Sequence, residues 1–97
     1  MKYGLNEQQW KIVETLVLTP LKASGCKIWI YGSRARGNCE RFSDLDLLIE
    51  GPIEPTKLSS IREALEESTL PIKVDLVPEI DLAHSYRETI EKDKKRL

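Results

Sequence analysis

A Gly32-Ser33 pair, ten further residues and then an Asp-x-Asp at Asp44 and Asp46 constrain this chain more than any other feature. The pair closes an apolar stretch, Cys26 to Tyr31, whose branched and aromatic residues read as a strand. The acids open a second strand, Asp44 to Glu50. Successive side chains of a strand point to opposite faces, so Asp44 and Asp46 share one face while Leu45 and Leu47 turn to the other, into a core. A third acid, Asp75, stands inside the apolar run Ile72 to Val77. Asp is disfavoured in strands, and neighbouring carboxylates raise one another's pKa. Three such acids call for a positive charge between them, and a hard divalent cation, Mg²⁺ or Mn²⁺, suits their oxygen ligands.

The elements around this framework follow from spacing. Asn6 with Gln9 makes a capping box, and Trp10, Val13, Leu16 and Val17 recur at helical spacing behind it. Pro20 is expected to interrupt or kink that helix, and Gly25 to end it. Cys26–Tyr31, apolar on both faces, reads as a central strand. Ser33 to Arg36 has room for one helical turn, and residues 37–43 form a polar loop. Thr56 to Ser68 reads as a helix with Leu58, Ile61 and Leu65 on one face. Pro71 precedes the third strand, Ile72 to Val77, and Pro78 stops it. Asp81 is positioned to cap a last helix carrying Leu82, Tyr86 and Ile90, whose basic end, Lys92 to Arg96, reads as a solvated terminus. The fold class is therefore α/β (α+β), a small mixed sheet of three or more strands flanked by helices.

Ninety-seven residues suffice for a single domain, 1–97, around one core. A net charge of −1 argues against a general nucleic-acid binder. No apolar run approaches a membrane span and the first residues carry no signal-peptide stretch, so the expectation is a cytosolic (cytoplasmic) protein. Cys26 and Cys39, the two cysteines, match no zinc spacing and read as free thiols, Cys26 buried at its strand start. His84, the one histidine, leaves little material for a His-based triad and receives no role.

The chemistry that these residues suit is metal-assisted nucleotidyl transfer. Displacement at an α-phosphorus builds charge on non-bridging oxygens and on departing pyrophosphate, and metals held by Asp44, Asp46 and Asp75 offset it. Asp75, on its own strand, is placed nearest the acceptor hydroxyl, where it can help to deprotonate it. Gly32 lets backbone approach a phosphate without a Cβ in the way. Ser33 offers a hydroxyl and an N–H at the start of a short helix. Arg34 and Arg36 read equally as ligands of the β- and γ-phosphates or as solvated surface arginines.

Gly32-Ser33, ten residues, Asp44-Leu45-Asp46 resembles the GS-x10-DxD signature of the nucleotidyltransferase superfamily that includes DNA polymerase beta. The short chain and the stretch Ile72 to Val77 resemble its minimal members, the MNT proteins, over nearly the whole length. The resemblance implies that Asp44, Asp46 and Asp75 hold Mg²⁺ and that Gly32 and Ser33 hold the phosphates of an NTP such as ATP. It further implies a helical HEPN-type partner encoded nearby, in a toxin–antitoxin pair whose antitoxin transfers AMP to a partner tyrosine. With no residues left over for an acceptor-binding domain, the missing half is expected from another polypeptide. Two alternatives stand beside this reading: a nucleotide-binding subunit with little catalysis, and transfer to a small molecule such as an aminoglycoside.

Overall fold

In the computed structural model, which describes residues 1–97, four strands form one mixed sheet in the order β3-β2-β1-β4. The strands are β1 (Lys27–Tyr31), β2 (Leu45–Glu50), β3 (Val74–Pro78) and β4 (Lys95–Arg96). β1 runs antiparallel to β2, with Ile30 opposite Leu47 and Tyr31 opposite Asp46. β2 runs parallel to β3, with Asp46 opposite Asp75. A parallel pair needs a crossover, and α4 (Pro55–Glu67) supplies it. Pro55 sits in its first turn, where a missing N–H costs nothing.

The first helix begins as its capping box dictates. Asn6 Oδ1 accepts from the Gln9 N–H at 2.8 Å, and Gln9 Oε1 accepts from the Asn6 N–H at 2.9 Å. It does not stop at Pro20. α1 (Glu7–Val13) passes into a π-helical segment, Glu14–Leu18, and on into α2 (Thr19–Ala23), which contains the proline. A proline ring collides with the carbonyl four residues back in a regular α-helix. Here the turn before it is widened, the Thr19 N–H donating to Glu14 O five residues back, and the helix continues through.

Seventeen buried residues make the core. Ile28, Ile30, Leu45, Leu47 and Ile49 contribute one face of the central strands, none of them measurably exposed. Val13, Val17 and Leu21 cover them from the first helical run, and Leu58 and Ile61 from α4. Burying this face against two helices is the main stabilising term, roughly 1.5–3 kcal/mol per large side chain. On the opposite face Leu48 is buried, while Tyr31, Asp46 and Asp75 are half-buried.

Several boundaries differ from the sequence reading. Cys26 is buried as expected but precedes β1, donating through Sγ to Pro52 O. Asp44 lies one residue ahead of β2, exposed at its mouth. β3 starts at Val74 and includes Pro78, which pairs with Ile49 at the end of an edge strand, where proline is tolerated. The last helix is shorter than its periodicity suggests. Leu82 and Ala83 are extended, two 3₁₀ turns (Glu79–Asp81 and His84–Tyr86) replace its first half, and α5 is confined to Arg87–Asp93. Of the apolar repeat only Ile90 is buried, while Tyr86 remains exposed, so nothing holds the earlier turns helical. The basic end is not a solvated helix terminus either. Lys95 and Arg96 pair with Ile30 and Trp29, and the Leu97 N–H donates to Ile28 O at 3.0 Å. No helix is long and apolar enough to cross a membrane.

Candidate active site

β1 runs straight into α3 (Gly32–Arg36) with no intervening loop. The join requires Gly32, whose φ is +76°. A Cβ on Gly32 would also stand 2.5 Å from Asp46 Oδ2. The glycine therefore makes room for a carboxylate as well as for a turn. α3 ends at Gly37, in the left-handed region, with the Gly37 and Asn38 N–H groups both on Ser33 O at 3.0 and 3.1 Å.

Strand register assembles the rest. Tyr31, Asp46 and Asp75 occupy three successive strands at one level, each opposite the next. Asp44, two residues before Asp46 and just ahead of β2, is exposed. Burial raises the Asp46 carboxyl above its usual range, and the charges of Asp75 and Asp44 push it further, while Arg36 and Lys73 pull it down. The Tyr31 phenol is pushed up to about 12, first by burial and then by Asp46 and Asp75. Tyr31 escapes a sequence reading focused on acids: the two-residue strand period turns it away from Ile28 and Ile30, but only the register with Asp46 brings it to the acid face.

Ser33 is in the first turn of α3, half-buried, beside this row. Arg36 is exposed at the other end of α3 and donates to Asp93 Oδ2 of α5 at 2.8 Å. Its charge lowers the Asp46 carboxyl, against the raising effects of burial and the neighbouring acids. Arg34 departs from both sequence readings, being neither a free phosphate ligand nor a solvated surface group. It is 1% exposed, and its N–H groups are engaged with Ser43 O, Tyr3 O, Arg41 O and Cys39 Sγ. A guanidinium with its donors committed to carbonyls has none to offer an incoming phosphate.

The donor set fits a hard divalent cation. Asp46 and Asp75 are opposite one another on one side of the sheet with Asp44 two residues ahead of Asp46, and burial first, then the charges of Asp75 and Asp44, raise the Asp46 carboxyl. No three acidic, His or Cys side chains close into a cage by themselves. Mg²⁺ retains waters and takes substrate phosphate oxygens alongside a few carboxylates, so carboxylate oxygens of this kind are chemically suitable donors for it.

Residues 7–97 match the nucleotidyltransferase domain family. The chain belongs to that family. A protein of Haemophilus influenzae named "Probable protein adenylyltransferase MntA" is 39% identical over 67 residues, covering 67% of this chain and 59% of that protein's length. A solved structure described as a candidate minimal nucleotidyltransferase superposes with a TM-score of 0.72 at 28% identity, covering 96% of this chain and 97% of its own. A candidate nucleotidyltransferase from Sulfolobus solfataricus shares the fold at a TM-score of 0.52 and 18% identity, over 92% of this chain and 78% of its own. The α/β architecture expected from the sequence is thus that of the nucleotidyltransferase fold, with a fourth strand added at the β1 edge.

Proposed function

We propose that this nucleotidyltransferase domain transfers AMP from ATP to a hydroxyl, a tyrosine on a helical HEPN-type partner protein, as the antitoxin of a toxin–antitoxin pair. The observation that carries the reading is the in-register row of Asp46 and Asp75 with Gly32 packed under Asp46 Oδ2. A carboxylate with no room for a Cβ beneath it, held close to a second one, is costly unless a cation uses it. The half of the curated relative's name that specifies a protein acceptor supports the partner, though the match spans 59% of that relative.

In this reading Asp44, Asp46 and Asp75 hold Mg²⁺ or Mn²⁺, which supplies positive charge at the α-phosphate and at the departing pyrophosphate. The Gly32-Ser33 turn receives the triphosphate through its backbone N–H and the Ser33 hydroxyl. Arg36, paired with Asp93 at the far end of α3, exchanges that partner for a phosphate oxygen. The acceptor oxygen forms a bond to the α-phosphorus, the bond from phosphorus to the β-phosphate oxygen breaks, and pyrophosphate leaves. Asp75, on the edge strand, takes up the acceptor's proton. Asp44 is exposed at the mouth, so positioning the acceptor and excluding water fall to the partner.

Co-expression with the neighbouring gene's product, followed by ATP and Mg²⁺, tests this by intact-mass spectrometry. A partner heavier by one AMP supports the proposal. A tight complex in which neither protein gains mass reduces the domain to a nucleotide-binding subunit. Modification of an added aminoglycoside beside an untouched partner moves the acceptor to small molecules.

A further inference from the structure

The residue most deeply committed to the loop before Asp44 is not an acid but a buried arginine. Arg34 Nε and Nη2 fork onto Ser43 O at 3.1 and 2.8 Å, and Nη2 also donates to Arg41 O at 3.2 Å. Nη1 reaches Tyr3 O at 2.9 Å and Cys39 Sγ at 3.8 Å. Tyr3 and Gly4 form a tight N-terminal turn, with Lys2 and Leu5 exchanging two 3.0 Å backbone hydrogen bonds and positive φ at both central residues. A Cβ on Gly4 would stand 2.7 Å from Arg34 Nη1 and 2.9 Å from Cys39 Sγ, so glycine is needed for the turn to close over the guanidinium. One planar group thus ties together α3, the N-terminal turn and both ends of the 39–43 segment.

The consequence falls on Asp44. Its own side chain is exposed and makes no hydrogen bond, and it precedes β2, outside the ladder that orients Asp46. What orients it is the peptide on either side: Leu45 N–H on Lys73 O at 2.9 Å, and Ser43 O in the fork of Arg34. We propose that Arg34 is the positioning residue for Asp44, holding the Ser43 carbonyl so that the exposed carboxylate meets the cation that Asp46 and Asp75 share. This rests on the metal role given above to the three acids. A lysine in its place keeps the charge but cannot fork, so the Ser43 peptide is free to rotate.

Binding of Mn²⁺ alone, followed by electron paramagnetic resonance, tests the idea without needing turnover. Arg34→Lys is expected to weaken Mn²⁺ binding about tenfold, the range for outer groups that orient a ligand. In the double variant Arg34→Lys/Asp44→Asn the loss should equal that of Asp44→Asn alone, because Arg34 acts through Asp44. Additive losses, or an unchanged Arg34→Lys, overturn the inference. Should Arg34→Lys fail to fold, Gly4→Ala serves instead. Its Cβ would stand 2.7 Å from Arg34 Nη1, so it displaces the guanidinium from its fork on Ser43 O while leaving Arg34 and Asp44 chemically intact. A severalfold weaker Mn²⁺ affinity is then expected, and an unchanged one overturns the proposal. If wild type binds no Mn²⁺ that Asp44→Asn removes, the metal reading of the site has failed, which is a distinct result.

Discussion

On one face of the sheet Ile28, Ile30, Leu45, Leu47 and Ile49 lie fully buried under two helical runs. On the other, Tyr31, Asp46 and Asp75 stand half-buried in a row with Asp44 exposed beside them. The same strands supply both faces, residue by residue, because a strand alternates. One face gives up water and gains packing. The other keeps charges together at a cost, and the first offsets it. The acid face is therefore where the chain sacrifices stability, and its substitutions should separate activity from folding.

The largest expected effect is on turnover. If the proposed transfer is right, Asp75→Asn lowers its rate by orders of magnitude, roughly 10³-fold, with little change in ATP affinity or in melting temperature. Parallel transfer assays and ATP titrations check it, and an unchanged rate would return Asp75 to a structural role.

Leu47→Ala attacks the same strand from its other face. Loss of a fully buried leucine should cost about 3 kcal/mol in urea unfolding. Equal destabilisation by Asp75→Asn would break the contrast between the faces.

Gly32→Ala touches both roles. It forces a Cβ against Asp46 Oδ2 at a φ of +76°, and should cost about 1–2 kcal/mol. Because the clash is with that side chain, Asp46→Ala in the same protein should recover part of the loss. Full additivity in the double-mutant cycle would mean that backbone strain alone is responsible.

The smallest effect has the opposite sign. Asp46→Asn should raise the metal-free melting temperature by about 1–3 °C at neutral pH, since a half-exposed group is worth little. The folded carboxyl titrates above its ordinary 3.8. Its contribution to stability is thus complete below that value and is lost as pH rises through the raised one. The advantage of Asp46→Asn should accordingly vanish near pH 3 and grow toward neutrality. Differential scanning fluorimetry across that range decides it, and an advantage independent of pH would point to packing rather than charge.

What the sequence by itself determined is what depends on neighbours along the chain. Alternation gave the acids one face and the leucines the other, the capping box marked the start of α1, and the spacing from Gly32-Ser33 to Asp44 and Asp46 placed the turn after one strand and the acid pair at the start of its neighbour. Those local periods made the mixed α/β sheet legible, and the resemblance of the Gly32-Ser33, Asp44-Leu45-Asp46 pattern to a known signature pointed to the nucleotidyltransferase fold. Only the tertiary structure decided what depends on segments far apart. Tyr31 joins the acids through interstrand register, and Lys95 and Arg96 become a strand because β1 offers an unpaired edge. The 3₁₀ turns before α5 arise because Tyr86 finds nothing to bury it. Arg34 is the sharpest case. An arginine beside a Gly-Ser turn reads as a phosphate ligand or a surface charge. Its burial follows from a carbonyl 31 residues earlier and another 9 residues later, which a local pattern does not contain.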